Sequence, residues 1–429
     1  MQLESLTQTP ASALYARVWR WHFWAAFLVV PFVLWQAVTG VTYLWHREIS
    51  MAMHPELLRV APHATTVSFE AQLQAAIAAN RGAHPSQIVI EDDASYSTAF
   101  YFTAANQLAY PTFVDPQSGR VLGSVAPLRW MEGLTRSLHG GWPLGHWGSN
   151  LLELCAGWAI VMIVTGLYLW WPRSPGLAGV LYPRLHAGPK VFWRDLHATV
   201  GAWYALVVLA FLFTALPWTS FWGGTVLGAV ERLTHQSSPS AAFFSGGDGH
   251  AGHASTNGSH QGSARATLDQ VIGRARSNGL KGRLEIRPNE AGAIQVRSQT
   301  GRSPFDIYLQ LDRKNAEVIE RSTWAETDTI PRLVALGVDL HQGTYFGRWN
   351  QWFNSLVAAS LVWMSVTGIM GWYRRRPGRG LSPPRRVPRR MPKLIVLAAA
   401  TLGVTMPLLG ASMVMVLLID AVLPIAIKK

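Results

Sequence analysis

Residues 138–173 read LHGGWPLGHWGSNLLELCAGWAIVMIVTGLYLWWPR, and residues 340–376 read LHQGTYFGRWNQWFNSLVAASLVWMSVTGIMGWYRRR. The two stretches align without a gap. His139 falls on His341, Gly145 on Gly347, Trp147 on Trp349, Thr165 on Thr367, Gly166 on Gly368, Trp170 on Trp372 and Arg173 on Arg375. Each is a long apolar run led by a histidine at a fixed distance from a Thr-Gly pair. Matches this specific mark a duplication, which decides the fold before any local reading does. A fainter echo extends it: His22 precedes Thr39 by seventeen residues, as His197 precedes Thr214. The duplicated unit is helix, outer domain, helix.

The chain has 429 residues, 49% of them hydrophobic, with 20 Trp. An apolar run of about 20 residues is long enough to cross a bilayer, and five are found, at 22–46, 139–173, 195–217, 341–373 and 394–424. The expected fold is membrane α-helical, with two parallel repeats of helix, outer α+β domain and helix, plus a fifth transmembrane helix. The net charge of +13 is concentrated in three segments. Arg17 and Arg20 lie in the tail 1–21, Arg184, Lys190 and Arg194 in the connection 174–194, and a run of arginines in 374–393. All three fall on one side if every run crosses, and the positive-inside rule makes that side cytoplasmic. The basic excess is thus a topology signal, with no nucleic-acid partner expected. The N-terminus is expected in the cytoplasm, and the first run is read as an uncleaved anchor. The single Cys155 excludes an intrachain disulfide and a Cys-x-x-Cys-His haem attachment.

Residues 47–138 predict a small extramembrane domain. A capped amphipathic helix over 68–80 is followed by strands QIVIE, STAFYFTA, LAYPTFVD and RVLGSV, with a turn at Asp115. The second outer segment, 218–340, repeats the plan: a helix over 266–278, strands GRLEIR, AIQVRS, FDIYLQLD and EVIER, and a turn at Asp312. It opens with a Gly/Ser-rich stretch, 237–264, expected to be flexible. His250, His253 and His260 in that stretch are weak candidates for capturing a metal ion.

Two parallel copies imply pseudo-twofold symmetry about the membrane normal. That symmetry pairs His22 with His197 near the cytoplasmic face, and His139 with His341 near the outer face. Ionisable residues at membrane depth are costly and mark functional sites. Two imidazoles facing each other can be the trans axial ligands of one haem iron, so two such pairs predict two haems b. Arg20, Arg194, Arg136 and Arg348 are candidate propionate partners, and the nearby glycines are expected to allow close backbone approach. Zinc is underfilled by two histidines without a carboxylate or thiol. His46 and His146 rank second for the outer site, because neither has a histidine mate in the other copy. No dinucleotide fingerprint or P-loop is present. Electrons must therefore come from a quinol in the lipid bilayer or from a cytoplasmic reductase.

On these elements the chain resembles the PepSY-associated transmembrane family: LHGG…TGLYLWWPR, LHQG…TGIMGW, the DLH that opens the third run and the paired Asp-turn-strand outer segments. The resemblance implies a multi-pass protein of the bacterial inner membrane with two periplasmic PepSY domains. Similar members are ferric-siderophore reductases carrying two b-type haems, which makes His22, His139, His197 and His341 haem ligands and a ferric-siderophore, or another periplasmic metal complex, the acceptor. The alternative is a non-enzymatic PepSY membrane protein that binds or regulates a periplasmic partner. A transporter is disfavoured by the few acidic residues in the spans, Glu153 and Asp195.

Overall fold

The computed structural model describes residues 10–61, 66–172, 176–236, 265–288, 292–376, 381 and 392–426. Helices α1 (Pro10–Leu44), α2 (His46–Met53), α3 (Pro55–Leu58) and α4 (Phe69–Ala79) precede strands β1 (Gln87–Ile90), β2 (Thr98–Thr103), β3 (Ala109–Val114) and β4 (Val121–Ser124). Then come α5 (Met131–His139), α6 (Gly145–Trp170), α7 (Pro189–Ala215), α8 (Gly228–Thr234) and α9 (Leu268–Ser277). Strands β5 (Arg283–Pro288), β6 (Ala293–Gln299), β7 (Ile307–Asp312) and β8 (Val318–Thr323) follow, and after them α10 (Thr329–Gln342), α11 (Arg348–Tyr373), α12 (Lys393–Thr405) and α13 (Pro407–Ala426). The stretch 237–264, with His250, His253 and His260, lies outside the described residues, as does most of 374–393.

The chain divides into two units. The helical unit comprises Met1–Val38, Leu144–Leu227 and Ser355–Lys429; the sheet unit comprises Thr39–Pro143 and Gly228–Asn354.

Among the described residues four helices are long and apolar enough to cross a membrane: Ala13–Leu44, Gly145–Trp170, Pro189–Trp218 and Arg348–Tyr373. Side chains such as Val164, Leu206, Phe213 and Ile369 stay exposed along them, as expected where lipid rather than protein is the neighbour. The first helix starts at Pro10, ahead of the boundary expected at 22, and runs unbroken through Pro31.

The fifth expected span, 394–424, is not one helix. It divides into α12 and α13 at Met406, whose backbone leaves helical geometry ahead of Pro407. Proline removes a donor and clashes with the preceding turn, so the break has a local cause. A Cβ on Gly403 would come within 3.0 Å of the Gly410 Cα. Seven residues along a continuous helix span about 10 Å, so the chain folds back on itself there. Glycine at both positions permits that approach. Met406 and Leu409 pack with Ile160, Val161 and Leu216, with Trp158 and Trp222 at the edge of the cluster. Gly157 on α6 gives Leu409 its space, since a Cβ there would sit 3.0 Å from the leucine.

The sheet unit corrects the expectation of two separate outer domains. All eight strands form one antiparallel sheet in the order β4-β3-β2-β1-β5-β6-β7-β8. Two four-stranded meanders join through their first strands, with Val89 opposite Glu285 and Ile90 opposite Leu284. Alternation sets which side chains face the helices: Ile88, Ile90, Phe100, Phe102, Leu284, Ile286, Val296, Leu309 and Leu311 form one core with Leu73 and Ala76 of α4 and Val271, Ile272 and Ala275 of α9. Both helices start at side-chain caps. Ser68 accepts from the Ala71 amide, and Thr267 forms a capping box with Gln270, each cap contributing about 1 kcal/mol. The turns after β3 and β7 are alike. Asp115 accepts from the Gln117 amide and from Ser118 Oγ, and Asp312 from the Lys314 amide.

Candidate functional site

His22 on α1 and His197 on α7 face each other inside the helical unit, with ring centroids 6.4 Å apart and planes at 84°. Each ring is held by the same local device. His22 Nδ1 lies 3.1 Å from the Met162 carbonyl and 3.1 Å from Thr165 Oγ1. His197 Nδ1 lies 3.0 Å from the Met364 carbonyl and 3.4 Å from Thr367 Oγ1. A carbonyl only accepts, so Nδ1 carries the proton in both rings. The threonine hydroxyls spend their own protons on carbonyls one turn back, Val161 at 2.7 Å and Trp363 at 2.7 Å, and offer the rings a lone pair. With Nδ1 protonated, Nε2 presents its lone pair, the usual arrangement of a metal-binding imidazole whose other nitrogen is fixed by a hydrogen bond. No hydrogen bond reaches either Nε2 among the described residues.

The glycines beside these threonines make room for the rings. A Cβ at Gly166 would sit 3.2 Å from His22 Cε1, and one at Gly368 would sit 3.1 Å from His197 Cε1. The Thr-Gly pair is thus a socket: hydroxyl and carbonyl grip one edge of the imidazole, and the missing side chain admits it.

The sheet unit holds the second pair. His139 and His341 have centroids 6.3 Å apart and planes at 63°. Their location differs from expectation. Neither begins a long apolar helix; His139 ends α5, and His341 is the penultimate residue of α10. His139 uses the same socket, with Thr39 Oγ1 at 3.0 Å from Nδ1 and a Gly40 Cβ position 3.2 Å from Cε1. The end of α10 is fixed by Asn354, which donates to the carbonyls of Leu340 and His341 at 2.8 and 3.0 Å. Gly343 follows in the left-handed region at φ 74°, with the Thr344 amide returning to Asp339 at 2.9 Å, as in a glycine-terminated helix. The repeated glycines between the histidine-bearing helix and the span therefore serve the turn. Gly141, Gly145, Gly343 and Gly347 all have positive φ, and nothing crowds a Cβ at Gly145 or Gly347.

The arginines are placed as follows. Arg194 and Arg184 both bind the fully buried Asp195, at 2.6 Å and 2.8 Å. Arg348 pairs with Glu48 at 2.6 Å and lies over the Trp45 ring. Arg20 and Arg136 are partly buried, on α1 and α5. The two rival histidines find non-histidine partners: His46 stacks on Tyr43 with Nε2 4.0 Å from Glu132, and His146 meets Ser220 Oγ at 3.3 Å. No group of three or more His, Cys, Asp or Glu side chains able to hold a metal ion occurs among the described residues.

Metal–imidazole bonds of about 2.0 Å, plus the ring radius, put two trans rings about 6 Å apart between centroids. Both pairs meet that spacing. They suit a metal whose remaining ligands come from a flat group between the rings. Sequence reasoning found the four histidines but missed the use of Thr39-Gly40; the Thr-Gly dipeptide shared with 165–166 and 367–368 was the available signal.

Four helices long and apolar enough to cross a membrane, with an α+β sheet unit, are the architecture of a multi-pass membrane protein. The chain matches the PepSY-associated TM region over residues 19–375, and it belongs to that family. No curated protein matches the chain.

Proposed function

We propose that this protein is a bacterial inner-membrane reductase carrying two haems b, which passes electrons from the cytoplasmic side to a periplasmic acceptor, ferric iron in a siderophore being the best candidate. The N-terminus then lies in the cytoplasm, as the clustered arginines favour. His22 and His197 would hold one haem, and His139 and His341 the other. The observation that carries the reading is the ring spacing of 6.4 and 6.3 Å, combined with the Nδ1 atoms of His22 and His197 gripped by helix carbonyl and threonine hydroxyl and that of His139 beside the Thr39 hydroxyl. Bound at such a pair, a haem iron supplies one-electron transfer.

The chain's own residues do the rest. Thr165, Thr367 and Thr39 orient the rings, and the neighbouring glycines admit them. Electrons come from a separate donor, a bilayer quinol or a cytoplasmic reductase. Iron leaves the chelate because the ferrous ion, less charged and softer, is held less tightly by hard oxygen ligands.

The test is the visible spectrum of the purified, haem-supplied protein, with a pyridine assay of stoichiometry. Two haems per chain with six-coordinate low-spin bands are expected. A folded, colourless preparation would overturn the reading and leave a PepSY membrane protein that binds a periplasmic partner.

A further inference from the structure

A carboxyl group lies deep in the helical unit, outside both histidine pairs. Glu153 on α6 is 1% exposed. It sits eight residues into that helix, about 12 Å of rise from its start. One oxygen, Oε2, is satisfied: it accepts from Thr219 Oγ1 at 2.8 Å and from the Trp222 amide at 2.8 Å. The other, Oε1, is buried with no hydrogen-bond partner. One turn back on the same helix, Asn150 Oδ1 is also buried without a partner. Residues three apart on a helix are neighbours on its surface. Two acceptors are therefore left bare on one face of α6.

Bare buried acceptors are costly, and a bare anionic oxygen far more so. Glu153 forms no ion pair among the described residues. Of the charged residues on helices packed nearby, Lys190, Arg194 and Asp195 lie within the first two turns of α7, and Lys393 is the first residue of α12. On the neighbouring residues, His146 meets Ser220 Oγ at 3.3 Å, and the Ser220 amide donates to Ser149 Oγ at 2.9 Å; no hydrogen bond among the described residues joins this set to Glu153.

The wall opposite is irregular backbone. Residues Trp222–Leu227 form a π-helix, a geometry frequent at functional sites. The Trp222 indole donates to the Thr405 carbonyl at 3.0 Å, which belongs to the last turn of α12 before the break. Interrupted helices whose carbonyl ends point inward recur at ion sites in membrane proteins.

We propose that Glu153 Oε1 and Asn150 Oδ1 together hold one monovalent cation, a proton or Na+, within the helical unit. A single small cation satisfies both acceptors at once and neutralises the carboxyl group in a medium that penalises bare charge. Both candidates share that chemistry. The site gives the protein a means of taking up positive charge as it takes up electrons, but it does not depend on haem.

The test uses the full chain in lipid nanodiscs, with Glu153→Gln and Asn150→Leu. If the cation is a proton, the infrared spectrum carries a protonated-carboxyl C=O band that shifts in heavy water, vanishes in Glu153→Gln and moves in Asn150→Leu. If it is Na+, that band is missing, and the thermal midpoint rises with the logarithm of NaCl concentration, but not with choline chloride; Asn150→Leu weakens this response and Glu153→Gln abolishes it. Wild-type protein with neither the band nor a Na+-dependent midpoint overturns the proposal, whether or not Glu153→Gln folds. A band or Na+ response unaltered in Asn150→Leu overturns the part played by Asn150. Haem content is read separately in the same samples, so failure here is distinct from failure of the redox reading.

Discussion

Glu70 and Asp269 exchange helix starts. The Glu70 carboxylate accepts from the Leu268 amide at the start of α9 at 2.8 Å, and Asp269 accepts from the Phe69 and Glu70 amides of α4, each at 2.9 Å. Each helix carries the acid that closes the other's open donors. A negative charge at a helix start also meets the positive end of the helix dipole, so the exchange ties the two halves of the sheet unit together by two effects at once.

Asp269→Ala is therefore expected to destabilise the sheet unit by about 1–2 kcal/mol and, on the proposed haem reading, to leave haem content unchanged. Denaturant midpoints followed by tyrosine and tryptophan fluorescence, alongside the haem spectrum, check both halves of that statement. An unchanged midpoint would mean the exchange contributes nothing.

The histidine pairs should respond one at a time. His22→Ala is expected to remove one haem and spare the other, and His341→Ala to do the reverse, read by haem stoichiometry and redox titration. Thr165→Val keeps the volume but removes one of the two acceptors of His22 Nδ1–H, leaving the Met162 carbonyl. Loss of an outer-shell hydrogen bond of this kind typically lowers metal-site affinity about 10–100-fold. If Thr165→Val binds haem like wild type, the socket is packing and nothing more.

Gly343→Ala probes the end of α10. An L side chain in the left-handed region costs roughly 1–2 kcal/mol, and its Cβ would lie 3.0 Å from Leu44 Cδ2. The strain falls two residues after His341, so this variant should lose occupancy of the His139–His341 pair before that of the other. Retention of both would show that the turn tolerates the change.

Alkaline pH should loosen the sheet unit. Burial pushes the Tyr308 phenol up to about 12 from its ordinary 10.0, and the charge of Glu320 adds to the effect. A raised acid favours the neutral folded form, so its stabilisation is complete below pH 10 and is lost as pH rises toward 12. The loss is on the order of 3 kcal/mol. Tyr308→Phe should flatten the decline in unfolding midpoint over that window relative to wild type; parallel curves would sink the assignment.

Much of this fold is legible in the sequence, because local patterns write it. The eight strands, the Ser68 cap and the Asp115 and Asp312 turns follow from alternation and side-chain chemistry within a few residues. His139 and His341 follow from the gap-free duplication, and His22 and His197 from the fainter echo of their spacing to Thr39 and Thr214. What could not be read depends on distant contacts. The β1–β5 pairing joins residues almost two hundred positions apart. The bare oxygen of Glu153 is likewise invisible until the surrounding donors have been assigned. The break in 394–424 is the exception: hydropathy sees one apolar run there, but Pro407 is a local signal for the break.

The β1–β5 seam has a consequence for anyone who would dissect this protein. Cutting the gene between the halves would leave each four-stranded fragment with a naked rim of amides and carbonyls, ready to zip onto whatever strand it meets first. The most available strand is another copy of itself, so such fragments should come off a column as homodimers or precipitate.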